Sequence, residues 1–430
     1  MMPLLYACLV IVSVVLTLLS AHVLYMMLYT WGRQGDGGAA AEPARFRDPR
    51  LSFTVMLPAR HEEDVIQTTI DRVVHASYPR ELLQVLVICS ADDVGTIGKA
   101  REKIAALRKE GVTNVETVVF DDGPINKPHG LNSALPQADR DVVTIFDAED
   151  DIHPEIFSLV NTVMLDERVK VVQAGVQLMN YRSTWYSALN VLEYFFWFRS
   201  RLYYHARYGA VPLGGNTVFF DRDLLMRLGG WDDRNLTEDA DIGLRLSSMG
   251  ERIRVIYDDR YVTKEETPPT TAQFIRQRTR WTQGFMQTLQ KGTWKRMPTR
   301  AQRWLSFCIL AFPQAQVLLG VYLVFSIATT LAVKAPVLVA MVSYLPVLLL
   351  LAHFLTAAVG LYEFTESHGL QASPRLVAQM AIFWFPYQIV LAYAGLRAVW
   401  RQLLSRHDWE KTQHVGAHRI PVTEADANVR

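Results

Sequence analysis

Cysteine is scarce in this chain of 430 residues: Cys8, Cys89 and Cys308 are the only three. They are scattered, and no CxxC pair occurs, so a disulfide framework is excluded, as expected for a reducing compartment. A dominant charge is lacking too. There are 44 Lys and Arg against 43 Asp and Glu, a formal net charge of +1. Such a balance offers no global field to draw the chain onto nucleic acid. What the sequence has in abundance is apolar residues, at 50% of the composition, and they are unevenly placed.

Leu4–Tyr29 is an apolar run long enough to cross a bilayer, broken only by His22 and small polar residues. It is too long for a secretory core, and no convincing cleavage site follows, so it is expected to stay as a membrane helix over residues 1–31. Three further apolar blocks lie at 305–333, 335–362 and 376–399, giving about three helices over 304–400. Arg33, Arg45, Arg47 and Arg50 follow the first helix. By the positive-inside rule residues 33–300 are then expected to be cytoplasmic in a multi-pass membrane protein. One helix in and three out would strand the tail, 401–430 with Arg401, Arg406 and Lys411, on the outer side against the same rule. Either one C-terminal block lies in the interface or re-enters, or the tail is external; Pro313 and Pro386 suit broken helices.

Residues 32–50 read as a Gly/Ala/Pro-rich linker. From 51 to 266, short apolar runs alternate with helix-like stretches. The runs are SFTVMLPA (52–59), LQVLVICS (83–90), VETVVF (115–120), DVVTIFD (141–147) and VKVVQAG (169–175), and residues 64–76 and 97–110 look helical between them. Alternating β and α units imply an α/β fold with a mostly parallel sheet covered on both faces. Such sheets bind ligands beyond the carboxyl ends of their strands, and the polar residues that close each run are the candidates.

The fourth run closes in FDAEDDIHP, where Asp147, Glu149, Asp150 and Asp151 crowd together. Like charges this close repel, and a bound divalent cation relieves them; an oxygen-only donor set suits Mg2+ or Mn2+ and, with them, a phosphate. PARHEED (58–64) and CSADD (89–93) offer Glu62 and Asp92 to a nucleoside, and Lys127 in NKPHGLN is a mobile cation suited to a diphosphate. NLTEDADIGLRL (235–246) sets Glu238, Asp239 and Asp241 at the start of a helix. Thr237 stands where an N-cap belongs, and acids in a first turn suit the positive end of the helix dipole. In QFIRQRTRWTQG (273–284), Gln277 and Trp281 share a helix face with Arg280 beside them, inside a basic stretch, 267–303, that carries no Asp or Glu. Charge before a membrane block obeys the positive-inside rule. A Trp and a Gln beside one Arg go further, since together they can stack on a sugar and neutralise a diphosphate.

The order of these motifs, an acidic DxD-like cluster, then TEDADIGLRL, then QRTRW, then membrane helices, resembles the membrane-integrated glycosyltransferase family 2 enzymes. These include the cellulose, hyaluronan and poly-N-acetylglucosamine synthases. VPLGGNTVFFDRDLLMRLGGWDDRNLTEDADIGLRL (211–246) and WEKTQH (409–414) are more narrowly similar to XagB-like bacterial exopolysaccharide glycosyltransferases. The resemblance implies a GT-A (Rossmann-like) domain and inverting transfer from a nucleotide sugar, a UDP-hexose such as UDP-glucose or UDP-N-acetylglucosamine, to a growing β-linked exopolysaccharide. It implies Asp147 and Glu149 as metal ligands, although the DxD here reads Asp-Ala-Glu and Asp150 competes for the second place. Asp239 with Glu238 would be the catalytic pair, with Asp239 the base. Glu62, Asp92, Lys127, Asp147, Gln277 and Arg280 would bind the donor and its diphosphate, and Trp281 with Gly215 of LGGN the acceptor. Four membrane segments are few for a pore. That leaves room for a homo-oligomer or an export partner, and it keeps the alternative of adding a single sugar to a lipid-linked acceptor. A third reading, a non-catalytic subunit on a dead transferase fold, predicts eroded acids, which the sequence does not have.

Overall fold

The computed structural model describes residues 2–31, 43, 45–406 and 408–410. Most of the linker with Arg33, and the tail from 411 with the end of WEKTQH, lie outside the described residues. Helix α1 (Met2–Leu28) leads through the linker into the alternating units. These are β1 (Phe53–Pro58), α2 (Ile66–Val74), β2 (Leu83–Ser90), α3 (Val94–Lys109), β3 (Val115–Phe120), α4 (Lys127–Ala134), β4 (Val142–Ile145), α5 (Ile156–Glu167) and β5 (Val171–Gln173). There follow β6 (Val176–Leu178), α6 (Ser187–Phe196), α7 (Leu202–Tyr208), β7 (Val218–Asp221), α8 (Arg222–Leu228), α9 (Glu238–Ser248), β8 (Ile253–Val255), β9 (Thr263–Glu265) and α10 (Thr271–Lys291).

Seven strands form one sheet in the order β3-β2-β1-β4-β7-β5-β8, and β6 pairs with β9 beside it. The pairings are parallel except on both sides of β7, which runs antiparallel between β4 and β5. The central strands are buried on both faces, as their unbroken apolar runs require. Ile66, Ile70, Ile104 and Phe157 of α2, α3 and α5 cover one face against Phe53, Val55 and Val85. The other face carries α4, α8 and α9, and its core runs without a break into Phe274 of α10 and on into the helices that follow. The globular part and the apolar helices therefore share one hydrophobic core.

Those helices are α11 (Arg300–Val333), α12 (Val337–Ser343), α13 (Leu345–Ser367) and α14 (Pro374–Leu403). Among the described residues, four stretches are long and apolar enough to cross a membrane: α1, α11, α12 with α13, and α14. Their arrangement bears on the topological difficulty. The far end of the bundle is tied by Ser13 Oγ, which donates to the Val342 carbonyl at 2.6 Å, and by Tyr322 Oη, which donates to Leu9 O at 3.1 Å. α13 then returns, and its Glu363 accepts from Trp31 Nε1 at 2.8 Å and pairs with Arg199 at 3.2 Å. α14 differs from the others because both its ends meet the globular part. Just before it, Gln371 O accepts from Tyr181 Oη and Arg182 Nη2; at its close Arg401 donates to Gln283 of α10. Between these ends Tyr387 stacks on Phe274, and Thr279 Oγ1 donates to Ala394 O. α14 lies along α10 rather than pointing away from the domain.

Candidate active site

β4 ends at Ile145, and the next residues form the acidic loop at the sheet's carboxyl edge. The Asp147 amide donates to Asp150 Oδ2 at 2.8 Å, which turns Asp150 inward, where it is fully buried. Asn216, on the loop entering β7, donates to both Asp150 oxygens at 3.0 and 2.8 Å and also to Glu265 at the end of β9. Carboxylate oxygens of Asp147, Asp150 and Glu265 lie within 4.8 Å of one another. Burial and then the neighbouring acids, Glu265 foremost, hold the Asp150 carboxyl well above its ordinary range. Lys127 bridges to the same place: its Nζ contacts Asp147 and donates to Gly215 O at 2.9 Å. Burial opposes the charge on Lys127, but Asp147 and Glu238 outweigh it and raise its pKa. Three clustered carboxylates, one of them already paired with a cationic side chain, fit a divalent ion such as Mg2+ or Mn2+. Glu149, the expected partner of Asp147, is buried and lines the same cavity but is not in this cluster.

Across the cavity, Asp239 lies in the first turn of α9, where the Ala240 amide donates to its Oδ1 at 2.8 Å. Thr237 occupies the N-cap position, yet its side chain makes no capping bond; its Oγ1 turns to Asn235 Oδ1 at 3.4 Å. The expectation of a Thr cap therefore fails. The reason is steric: α10 presses on this turn, and a Cβ added at Gly284 would lie 2.5 Å from Thr237 Oγ1. Burial, chiefly, raises the carboxyls of Glu238 and Asp239, with Lys127 and Arg280 pulling the other way. Asp241 faces elsewhere, bound to Lys291 at 2.8 Å, and serves the fold.

α10 lays the last group alongside. Gln277 is buried, and its Oε1 has no hydrogen-bond partner among the described residues. The Arg280 guanidinium lies 4.5 Å from the Trp409 ring centroid, so the chain beyond α14 folds back onto the site. Trp281 is half-buried, with the Arg278 guanidinium 4.5 Å from its ring. Arg278 is held by Glu193 at 2.5 Å and by Asn190 of α6, which fixes the indole from one side.

One cavity of about 560 Å³ joins these groups: Glu62, Lys127, Asp147, Glu149, Gly215, Glu238, Asp239, Gln277, Arg280 and Trp281 all line it. It continues between α1, α11, α13 and α14, where Leu16, Val23, Phe312 and Leu350 form the walls. Asp92 is the exception among the expected residues. It is exposed outside the cavity and pairs with Arg60 at 3.2 Å, while Arg60 itself lines the cavity. The motif reading missed Asn216, Glu265 and Arg278. Arg278 stood within QRTRW, but Asn216 and Glu265 offered no signal beyond an amide after two glycines and an acidic pair before prolines.

An α/β sheet bearing hard-oxygen acids at its rim, with a basic helix facing them, is the architecture of nucleotide-dependent group transfer. The profile of glycosyltransferase-like family 2 matches residues 49–284, and the chain belongs to that family. It is 29% identical over 243 residues to the probable glycosyltransferase YdaM of Bacillus subtilis, covering 55% of each chain. It is 24% identical over 303 residues to the beta-monoglucosyldiacylglycerol synthase of a Nostoc species, with 64% of this chain and 61% of that one covered. It is also 23% identical over 346 residues to the poly-beta-1,6-N-acetyl-D-glucosamine synthase of Staphylococcus epidermidis, covering 78% and 79%. The match to the first two thus spans little more than half of their lengths. Among solved structures, a mannosyltransferase of Pyrobaculum calidifontis, PcManGT, seen with GDP-Man and Mn2+, superposes with a TM-score of 0.55 at 20% identity, covering 93% of this chain and 99% of that one. The fold is GT-A-like.

Proposed function

We propose that the protein is an inverting glycosyltransferase that moves a hexosyl group from a nucleotide-diphosphate sugar, a UDP-hexose, to an acceptor hydroxyl at the membrane face, in the assembly of a β-linked exopolysaccharide. The observation that carries this reading is the single cavity that Asp147, Asp239 and Arg280 share. In one displacement, the acceptor oxygen bonds to the anomeric carbon and gives its proton to Asp239. The bond from that carbon to the diphosphate breaks, and the diphosphate leaves with the electron pair. General-base help of this kind is worth ~10²–10⁴ in rate. Burial raises the Asp239 carboxyl above its ordinary range, which makes it a stronger proton acceptor. Lys127, Arg280 and Gln277 hold the diphosphate, and Trp281 offers the acceptor sugar the ring face that Arg278 leaves open. Asp147, Asp150 and Glu265, with Glu149 beside them, would hold Mg2+ or Mn2+, whose charge stabilises the departing phosphates when bound.

The apolar continuation of the cavity favours a second reading of the acceptor, in which one sugar is added to a lipid-linked molecule. Relatives support both: one is named for a polysaccharide and another for a glycolipid. The catalytic part is placed on the cytoplasmic side of a bacterial inner membrane. With α14 lying in the interface, the basic residues Arg397, Arg401 and Arg406 stay on that side, in keeping with the positive-inside rule. Mass spectrometry of products formed by the full chain in membranes from a panel of UDP-sugars tests the proposal. A ladder of β-linked products is expected; a single lipid-bound addition selects the second reading, and absence of any sugar transfer from every donor refutes both.

A further inference from the structure

Arg201 is a charged group that the transfer scheme does not use. It closes a π-helical turn, Trp197–Arg201, between α6 and α7, a distortion common at functional sites. Its guanidinium lies 5.0 Å from the Trp197 ring and 5.1 Å from the Phe312 ring of α11, and it lines the membrane side of the active-site cavity. Among the described residues it makes no ion pair, and its buried Nε has no hydrogen-bond partner. The acid whose charge acts on it is Glu193, which Arg278 already holds at 2.5 Å. Burial lowers its pKa only to about 10, so the charge persists at neutral pH.

Beside it, between α1 and α11, runs a groove of about 350 Å³ lined almost wholly by apolar side chains, among them Val15, Leu18, Met26 and Ala311. Leu19, Val23, Ile309, Phe312 and Ala315 line both the groove and the active-site cavity, so the two adjoin. Leu18 and Trp304 at its lip are each 65% exposed, and both belong to helices apolar enough to sit in a bilayer. A hydrocarbon chain is the solute such a groove meets there. An arginine stacked on Phe312, which lines the groove, and without an ion-pair partner among the described residues calls for an anion, and a planar guanidinium matches phosphate oxygens two at a time.

We propose that Arg201 holds the phosphate of an anionic membrane lipid whose hydrocarbon chain lies in the groove between α1 and α11, and that this lipid carries the acceptor to the site. The binding site stands on its own geometry; the acceptor role rests on the transferase reading above. The test uses the full chain in detergent, with phosphatidylglycerol binding followed by native mass spectrometry. Dioleoylglycerol supplies the chains without the phosphate, and inorganic phosphate the anion without the chains. Arg201→Gln is expected to weaken phosphatidylglycerol by at least about tenfold, the loss of one charge-assisted contact, with partial rescue in Arg201→Lys. Ala311→Phe, which fills the groove and leaves the charge alone, is expected to weaken it as well. Equal binding by wild type and Arg201→Gln overturns the proposal. So does equal binding of dioleoylglycerol, or displacement of the lipid by inorganic phosphate alone. Release of nucleotide diphosphate from the donor is followed in the same samples. Release without Arg201-dependent lipid binding defeats the lipid site and spares the transferase reading; lipid binding without release does the reverse.

Discussion

Asp239→Asn separates proton transfer from every other task in the cavity. The amide is nearly the same shape, and its oxygen can still accept from the Ala240 amide, now 2.8 Å from Asp239 Oδ1, so the start of α9 keeps its geometry. What is lost is the ability to take up a proton. The expected fall in kcat is ~10²–10⁴, about 2.7–5.4 kcal/mol of barrier. Donor affinity should move far less, because the proposed scheme assigns the diphosphate to Lys127, Arg280 and Gln277. Removing a negative charge near Lys127 and Arg280 leaves those cations freer for it. The assay is release of nucleotide diphosphate together with transfer of labelled sugar by the full chain in membranes, with donor binding measured separately by calorimetry. In the wild type, kcat/KM should rise with pH as Asp239 loses its proton, with a midpoint above the usual carboxylate range because burial raises it. A variant that turns over within about threefold of wild type, or that fails only because donor no longer binds, refutes the assignment of Asp239 as base.

Chelation should abolish transfer, and Mn2+ or Mg2+ should restore it. Glu265→Gln should weaken Mn2+ binding more than Glu149→Gln does, read by calorimetry as well as by activity, since Glu265 and not Glu149 lies with Asp147 and Asp150. Gly284→Val forces bulk into the place where even a Cβ meets Thr237 Oγ1 at 2.5 Å. Overpacking of this kind costs about 1–3 kcal/mol, and a shift of α10 by about 1 Å is enough for a 10²-fold loss of kcat, so unfolding temperature and rate should fall together. Glu238→Gln should stabilise the protein at pH 8 and do little at pH 5. Burial raises the Glu238 carboxyl, so the folded state binds that proton more tightly than the unfolded chain. The stability this proton confers is present below the unfolded pKa and lost as pH rises through the folded one, and the neutral amide escapes that loss. Thermal unfolding at the two pH values decides it.

The sheet's first half was plain in the sequence because β1, β2 and β4 are buried on both faces and read as apolar runs, while β3, at the sheet's edge, mixes buried and exposed positions. Their observed bounds fall within the expected runs, as at Leu83–Ser90 and Val115–Phe120. β7 was not legible as a strand. Four residues, Val218–Asp221, are too few for a periodic pattern, and nothing local dictates that they run antiparallel between β4 and β5. The acids of the site were visible as a crowd, but which of them converge was not. Asp150 is turned inward by a bond to the Asp147 amide, and Glu265 arrives from a strand more than a hundred residues later; neither fact has a local signature. Thr237 failed as a cap for the same kind of reason, since the contact that displaces it comes from Gly284.

The place of α14 follows from a conflict that hydropathy alone does not resolve. Its residues are apolar enough to span, and apolar content is all that such a measure sees. Yet Leu376, Met380, Trp384, Tyr387, Leu391, Ala394 and Ala398 are buried at helical spacing along nearly its whole length, while Ile382, Phe385, Ile389, Tyr393, Leu396 and Trp400 are exposed on the opposite side. A spanning helix need not present a continuous buried stripe to a globular domain. A helix wedged between that domain and the bilayer must, with its second apolar stripe toward lipid. Such a wedge, as proposed for α14, would let Trp409 reach Arg280 from beyond the helix. Were α14 to cross instead, the chain after it would emerge on the far side of the bilayer, and that contact could not form. Cysteine accessibility in sealed vesicles checks the point: a label at position 403 should be reached from the same side as one at position 371, and labelling from opposite sides would defeat the wedge.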